Sequence, residues 1–71
     1  MKNRLEEFRN RNHWSQQELA DRVLVSRQTI ISLERGRYNP SILLAFRLAN
    51  LFNIKIEDLF LYTAEEEDQN G

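Results

Sequence analysis

Apolar residues recur at the spacing of α-helices along most of the 71-residue chain. From residue 3 to residue 61 they lie three and four positions apart, and no long stretch alternates between apolar and polar residues as a half-exposed strand would. The pattern therefore predicts an all-α domain, a compact five-helix bundle. We expect the helices at about residues 2–11, from residue 16 onward, and at 27–35, 42–52 and 56–61.

The second and third helices carry the clearest start signals. Ser15 is a typical N-cap, and Glu18 three residues later completes a capping box. Trp14 and Leu19 are spaced to form a hydrophobic staple, which fixes the direction in which the chain enters the second helix. Helical spacing gives both helices an apolar inner face, which consists of Leu19, Ala20, Val23, Ile30 and Leu33.

The third helix begins with the same arrangement. Ser26 is its cap, Val25 and Ile30 are spaced as a second staple, and Gly36 suits the left-handed position that ends a helix. Only residues 23–25 separate it from the body of the second helix. Two staples around so short a link fix the angle between the helices, which is the arrangement of a helix-turn-helix.

The fourth helix is apolar on nearly every side, so it is predicted to be the buried central element. Ser41 is placed as its cap, and Asn53 suits the left-handed residue that follows it. After Tyr62 the chain becomes acidic and polar and has no large apolar residue. We therefore expect one domain at residues 1–62 and a flexible acidic tail at 63–71.

Composition narrows the class of protein further. Cysteine is absent and His13 is the only histidine, so we expect neither a disulfide nor a metal site. The longest apolar runs are far shorter than the roughly 20 residues that span a bilayer, and the N-terminus shows no secretory signal. These features predict a cytoplasmic protein that has no membrane partner.

The net charge of −1 argues at first against a nucleic-acid partner, but the charges are unevenly distributed. Residues 1–47 carry nine Lys and Arg against five Asp and Glu, whereas residues 48–71 carry one Lys against six acids. This asymmetry suits a basic face and an acidic end. Charge alone does not establish DNA binding, because solvated helix surfaces are often charged in the same way.

Opposite its inner side, the third helix carries a short polar and cationic face. This recognition face consists of Arg27 at its edge, Gln28, Ile31, Ser32 and Arg35. Such a face fits the major groove of DNA. There Gln forms two hydrogen bonds with adenine, and Arg bonds guanine or phosphate. Ser can bond either base type, and Ile can pack on a thymine methyl group. The alternative is the solvent side of an ordinary helix, which an exposed Ile31 fits poorly.

Phosphate contacts are predicted on both sides of the third helix. Gln16 and Gln17 lie at the start of the second helix, where free backbone N–H groups attract an anion. Arg37 and Asn39 follow the third helix and are placed to hold the DNA backbone there. Such contacts position a protein on the duplex, while contacts with base edges select the sequence.

The order of these motifs resembles the Cro/repressor (Xre) family of transcriptional regulators. The resemblance is carried by the segments WSQQELA at 14–20, VSRQTI at 25–30, LERGRYNPS at 33–41, LAF at 44–46 and IEDLF at 56–60. It covers about residues 2–61. It implies a lambda repressor-like domain of five helices that binds double-stranded operator DNA, usually as a homodimer on a palindrome.

The resemblance also implies roles for single residues. By motif position, the groove-facing residues are Arg27, Gln28 and Ser32, and the phosphate contacts are Gln16 and Arg37. Arg9 and Glu34 match a pair that forms a structural salt bridge between the first and third helices.

Three residues depart from the family pattern. His13 and Leu24 stand where Gly is common, and Lys55 stands where Ser or Thr usually caps the last helix. If the backbone at Leu24 keeps a positive φ, we expect about 1 kcal/mol or more of strain there. Without a side-chain cap, the last helix should fray more readily.

Two other classes of function stay open from the sequence. The same fold can serve as an antitoxin or adaptor, and Leu43, Leu61 and Tyr62 can seal a homodimer, bind a protein partner or fold back onto the helices. An enzyme is the weakest hypothesis, because His13 and Ser15 form no triad and no Gly-rich phosphate loop occurs. We expect no catalytic residue, cofactor or metal.

Overall fold

The computed structural model describes residues 1–61, which form five α-helices and two very short strands. In chain order the elements are β1 Lys2–Asn3, α1 Leu5–Arg11, α2 Gln16–Val23, α3 Arg27–Glu34, α4 Ile42–Phe52, α5 Ile56–Leu59 and β2 Phe60–Leu61. All five predicted helices are present, and the predicted fold class is confirmed. Tyr62, the domain boundary expected after it and the tail expected at 63–71 lie outside the described residues.

The two strands correct the predicted ends of the first and last helices. β1 and β2 pair antiparallel, with Lys2 opposite Leu61 and Asn3 opposite Phe60. The side-chain oxygen of Asn3 accepts a hydrogen bond from the backbone N–H of Leu5 at 3.0 Å, so α1 begins at Leu5 and not at residue 2. Two residues per strand are too few to show the period-two pattern that predicts a strand.

Three serine caps start the longer helices as predicted. The hydroxyl oxygens of Ser15, Ser26 and Ser41 each accept a hydrogen bond from the backbone N–H three residues later, at 3.0, 3.2 and 3.1 Å. A cap of this kind contributes about 1 kcal/mol. Lys55 makes no side-chain cap, which agrees with its departure from the family pattern, and α5 has only four residues.

Every helix contributes to a single apolar core. The largest fully buried side chains are Leu5, Leu19, Ile30, Leu33, Leu48 and Leu59. All five residues of the predicted inner face of α2 and α3 are buried. Three aromatic rings pack at its edge. The ring centroid of Phe52 lies 5.6 Å from that of Phe8 and 5.8 Å from that of Trp14. No helix within residues 1–61 is long and apolar enough to cross a membrane.

The prediction that α4 is the buried central element holds for only one face of the helix. One face of α4 enters the core, but Ile42, Leu43 and Phe46 are 77%, 60% and 52% exposed. Hydrophobic periodicity records how apolar a helix is, and it does not show whether another element covers each face. Within one chain, the described residues leave this face uncovered, so α4 presents an apolar surface to solvent.

The turn between α2 and α3 holds Leu24 in the left-handed region, with φ 62° and ψ 42°. This backbone lets the N–H groups of Leu24 and Val25 both bond the carbonyl of Ala20, which ends α2 within the short link. A side chain in this region costs roughly 1–2 kcal/mol. Leu24 is 76% exposed and recovers little of that cost by packing, so the strain expected from the sequence is present.

We therefore expect Leu24→Gly to stabilise the protein. Relief of the left-handed strain exceeds the entropy that glycine adds to the unfolded chain, for a net gain of about 0.5–1 kcal/mol. Thermal unfolding followed by circular dichroism should show a midpoint raised by a few degrees, on the order of 4–8 °C per kcal/mol at this size. Leu24→Val is the control and should lower the midpoint, because a β-branched residue tolerates this backbone less. An unchanged or lowered midpoint for Leu24→Gly would contradict the assignment of strain.

Candidate nucleic-acid interface

The outer side of α3 is open to solvent where the sequence predicts the recognition face. Burial of Ile30 and Leu33 fixes the rotation of the helix about its axis. Its opposite side leaves Arg27, Gln28 and Arg35 exposed and Ser32 half-buried. Ile31 is half-buried as well, which corrects the expectation of an exposed side chain. Residues 1–61 therefore leave the recognition face open, with Ile31 and Ser32 half-buried in it.

An ion pair between α1 and α3 holds α3 in place. Arg9 of α1 donates to both carboxylate oxygens of Glu34, with Nε–Oε2 at 2.7 Å and Nη2–Oε1 at 3.2 Å. The side chains are only 12% and 5% exposed. The hydrogen bond to Glu34 raises the pKa of the Arg9 guanidinium, although desolvation acts in the opposite direction. Arg9 also donates to the carbonyl of Trp14 at 2.9 Å, so the predicted pair is confirmed and also fixes the entry to α2.

The start of α2 and the start of α3 enclose one side of the recognition face. A depression of about 620 Å³ between them is lined by Arg9, Ser15, Gln16, Gln17 and Arg27. Gln16 donates one amide hydrogen to Glu34 at 3.1 Å, and Gln17 donates one to Asp21 at 2.9 Å. Because a primary amide carries two hydrogens, each glutamine keeps a second donor for an anion. The structure thus brings together three of the residues for which the sequence predicts DNA contacts.

A second depression lies on the other side of α3. It has a volume of about 250 Å³ and is lined by Ser26, Gln28, Thr29, Ser32, Arg37 and Tyr38. Here the predicted base contacts Gln28 and Ser32 lie next to the predicted phosphate contact Arg37. Tyr38 also lines this depression and is 41% exposed, although the sequence predicts no role for it. The only sequence feature that points to Tyr38 is its position between Arg37 and Asn39, the two phosphate contacts predicted after the third helix.

Three predicted residues, Ile31, Arg35 and Asn39, do not line either depression. Arg35 follows α3 and lines a third depression with Met1, Lys2 and Asn3 at the N-terminal strand. Asn39 is exposed in the loop before α4. Arg27, Arg35 and Arg37 are all exposed, and within residues 1–61 none of them forms a salt bridge. Three guanidinium groups around α3 are therefore available to a polyanion.

An open polar helix, set at a fixed angle by the helix before it and surrounded by arginines, defines a helix-turn-helix DNA-binding protein. The chain belongs to the helix-turn-helix family, whose model matches residues 5–59. The resemblance to Cro/repressor-type regulators is thereby confirmed. The protein is a DNA-binding transcriptional regulator.

Similar proteins cover nearly the whole chain. A helix-turn-helix transcriptional regulator from Archaeoglobus fulgidus is 52% identical over 66 residues, or 93% of each chain. Another from Methanocaldococcus jannaschii is 48% identical over 66 residues, which are 93% of this chain and all of that one. The restriction-modification controller protein C.AhdI from Aeromonas hydrophila superposes with a TM-score of 0.72 at 33% identity, covering 80% of this chain and 86% of that one.

Proposed function

We propose that the protein is a repressor that binds a palindromic operator as a homodimer and inserts one recognition face into the major groove of each half-site. The observation that carries this proposal is the open recognition face, which lies between two depressions lined by arginine and glutamine side chains. Gln28 is assigned to adenine, Ser32 to a neighbouring base and Ile31 to a thymine methyl group. Arg27 and Arg35 bond guanine or phosphate.

Phosphate contacts on both sides would fix the depth and angle of α3. Gln16 and Gln17 occupy one depression, and Arg37 borders the other. Asn39 lies exposed two residues beyond Arg37 and is assigned to the same strand of the duplex. These groups carry no sequence information but set the register for the base contacts. We expect the protein to act in the cytoplasm, together with the DNA that it binds.

The proposed repression follows from occupancy of the operator. A protein bound in the major groove across a promoter excludes other proteins from the same surface. The test is transcription in vitro from templates that carry the selected operator either across the promoter or well upstream of it. Transcript levels should fall with the overlapping operator and stay unchanged with the distant one. A rise in transcript would contradict repression while leaving DNA binding intact.

The proposed homodimer uses the apolar surface that α4 leaves uncovered. Ile42, Leu43 and Phe46 are more than half exposed, and Leu61 at the end of β2 is 38% exposed. A groove of about 670 Å³ adjoins Phe46 and is lined largely by apolar side chains of α4 and α5. Contiguous exposed apolar surface of this kind marks an interaction site. Two copies related by a two-fold axis would cover it and place two α3 helices on one duplex.

Leu43→Glu is expected to convert the dimer to a folded monomer, because it places a charge in the proposed interface at a position that contributes little to the core. Leu24→Glu is the matched control, with the same chemical change at an exposed leucine outside the proposed interface. Sedimentation at micromolar concentration should show a dimer for the wild type and the control and a monomer for Leu43→Glu. A wild type that is monomeric with and without DNA would contradict the homodimer.

The second candidate is an antitoxin or adaptor whose α4 surface binds a different protein. The same groove and the same exposed apolar residues favour it. Titration with duplex DNA at several salt concentrations separates the two functions. A DNA-binding regulator loses affinity steeply as salt rises, because bound phosphates release counterions. An adaptor that does not use the recognition face would show no such specific, salt-dependent binding.

A further inference from the structure

The N-terminal segment connects the end of the recognition helix to the end of the described chain. The side-chain amide nitrogen of Asn3 donates to the backbone carbonyl of Leu33 at 2.7 Å, thirty residues away in sequence. The side-chain oxygen of Asn3 accepts from the N–H of Leu5 at 3.0 Å, and the Asn3 backbone pairs with Phe60. One side chain thus links the start of α1 to the last turn of α3, while its backbone belongs to the small sheet.

The N-terminal segment contacts α3 closely at the C-terminal end of the helix. The carbonyl of Leu33 accepts from both Asn3 and the N–H of Gly36, so it is fully used. The carbonyl of Gly36 accepts from the Met1 nitrogen at 3.0 Å. Gly36 has φ +70°, and a Cβ there would lie 3.1 Å from the Met1 oxygen. The segment is therefore packed directly against the C-terminal end of α3.

The last turn of α3 is consequently held from two sides. Arg9 and Gln16 hold the side chain of Glu34, while Asn3 holds the backbone at Leu33. A helix of eight residues is about 12 Å long, so a tilt of about 10° at one end displaces the other by about 2 Å. A hydrogen bond tolerates only about 0.5 Å of variation in length. Small tilts of α3 therefore decide which base edges its side chains can bond.

We propose that Asn3 is a positioning residue for DNA recognition: its side-chain amide sets the tilt of α3 and thereby base discrimination, although it touches no DNA itself. The proposal rests on the recognition function of α3. Asn3 carries no charge and lines neither of the two depressions that contain Gln16, Gln17 and Gln28. Its loss should reduce discrimination between bases and leave the charge-dominated contacts with phosphate in place.

The test compares Asn3→Ser with Asn12→Ser. Serine at position 3 keeps an oxygen near the N–H of Leu5 but is too short to reach Leu33. Asn12 makes the same kind of bond, from its amide to the carbonyl of Phe8 at 2.9 Å, but at the end of α1. Asn12→Ser therefore controls for the loss of a short side-chain to carbonyl hydrogen bond at a helix end, while Asn3→Ser also removes the longer bond to the Met1 carbonyl at 3.4 Å.

The measured quantity is the ratio of affinities for two duplexes, the one that the wild type selects and the same duplex with one base pair changed in each half-site. This ratio does not depend on the folded fraction, so it stays valid for a destabilised variant. We expect Asn3→Ser to reduce it roughly fivefold or more, since one bidentate base contact supplies about that much. The dependence of affinity on salt should be unchanged, and Asn12→Ser should keep the wild-type ratio.

Two contrary results have different meanings. A wild-type ratio retained by Asn3→Ser would overturn the positioning role and reduce Asn3 to a structural residue, with the recognition face intact. A wild type that shows no preference between the duplexes would overturn the recognition function itself, and the Asn3 proposal with it.

Discussion

Arg9→Met is expected to destabilise the protein by about 3 kcal/mol or more, because it leaves the carboxylate of Glu34 nearly buried without its cation. The Gln16 amide would be the remaining side-chain donor to Glu34 within the described residues. The carbonyl of Trp14 also loses its donor. A domain of this size has only a few kcal/mol of net stability, so the single variant should be largely unfolded at physiological temperature.

The double variant Arg9→Met, Glu34→Met is the control. Replacing both members of a buried pair by apolar residues of similar size is often neutral or stabilising, so this variant should recover most of the lost stability. Urea denaturation followed by fluorescence of Trp14, the single tryptophan, gives both free energies. A loss below about 1 kcal/mol for Arg9→Met would contradict the role of the pair, because that is the size expected for an exposed salt bridge.

Gln28→Ala and Arg37→Ala are expected to weaken DNA binding in different ways. Gln28→Ala should lower the affinity for the operator by about 1–3 kcal/mol, or roughly 5- to 150-fold. Its affinity for unrelated duplexes and the salt dependence should be unchanged.

Arg37→Ala should lower the affinity for the operator and for unrelated duplexes by the same factor. It should also lower the slope of log affinity against log salt by about 1, because one phosphate contact is lost.

Arg4→Ala is the control for removal of a positive charge. Arg4 pairs with Glu7, feels the charge of Asp58 and lines none of the three depressions around α3. Its loss should leave the salt slope almost unchanged. If Arg4→Ala and Arg37→Ala changed the slope equally, the effect would be one of net charge and not of a local phosphate contact.

The parts of this fold that the sequence predicts are those set by short-range interactions. A cap such as Ser15 or Ser26 bonds a backbone group three residues away, so its signal is complete within one turn. Burial of Ile30 and Leu33 follows from helical spacing for the same reason. The left-handed residues Gly36 and Asn53 were also predicted, because residue type and position at a helix end together specify that backbone.

The features that the sequence does not predict depend on residues that are far apart along the chain. β1 and β2 bring together both ends of the described segment. They do so through two residue pairs, Lys2 with Leu61 and Asn3 with Phe60, which are too few to leave a periodic pattern in the sequence. The bond from Asn3 to Leu33 has no local signature either. The exposure of Phe46 on α4 could not be predicted, because the same types of apolar residue occur in a core and at a protein interface.

For the candidate interface, the sequence placed polar residues on one side of α3 but did not determine their surroundings. Gln28 and Arg37 share one depression, and Gln17 and Arg27 share another, because the angle between α2 and α3 brings separate elements together. Tyr38 lines the first of these depressions because of the path of the loop after α3, which the sequence does not indicate.

Selection of bound duplexes from a random pool, by the wild type and by Gln28→Ala in parallel, tests most directly whether the outer side of α3 enters the major groove. We expect the wild type to enrich a two-fold symmetric motif, and we expect Gln28→Ala to lose the preference at one base step in each half-site while keeping the rest. An identical motif for both proteins, or no enriched motif for the wild type, would contradict this expectation.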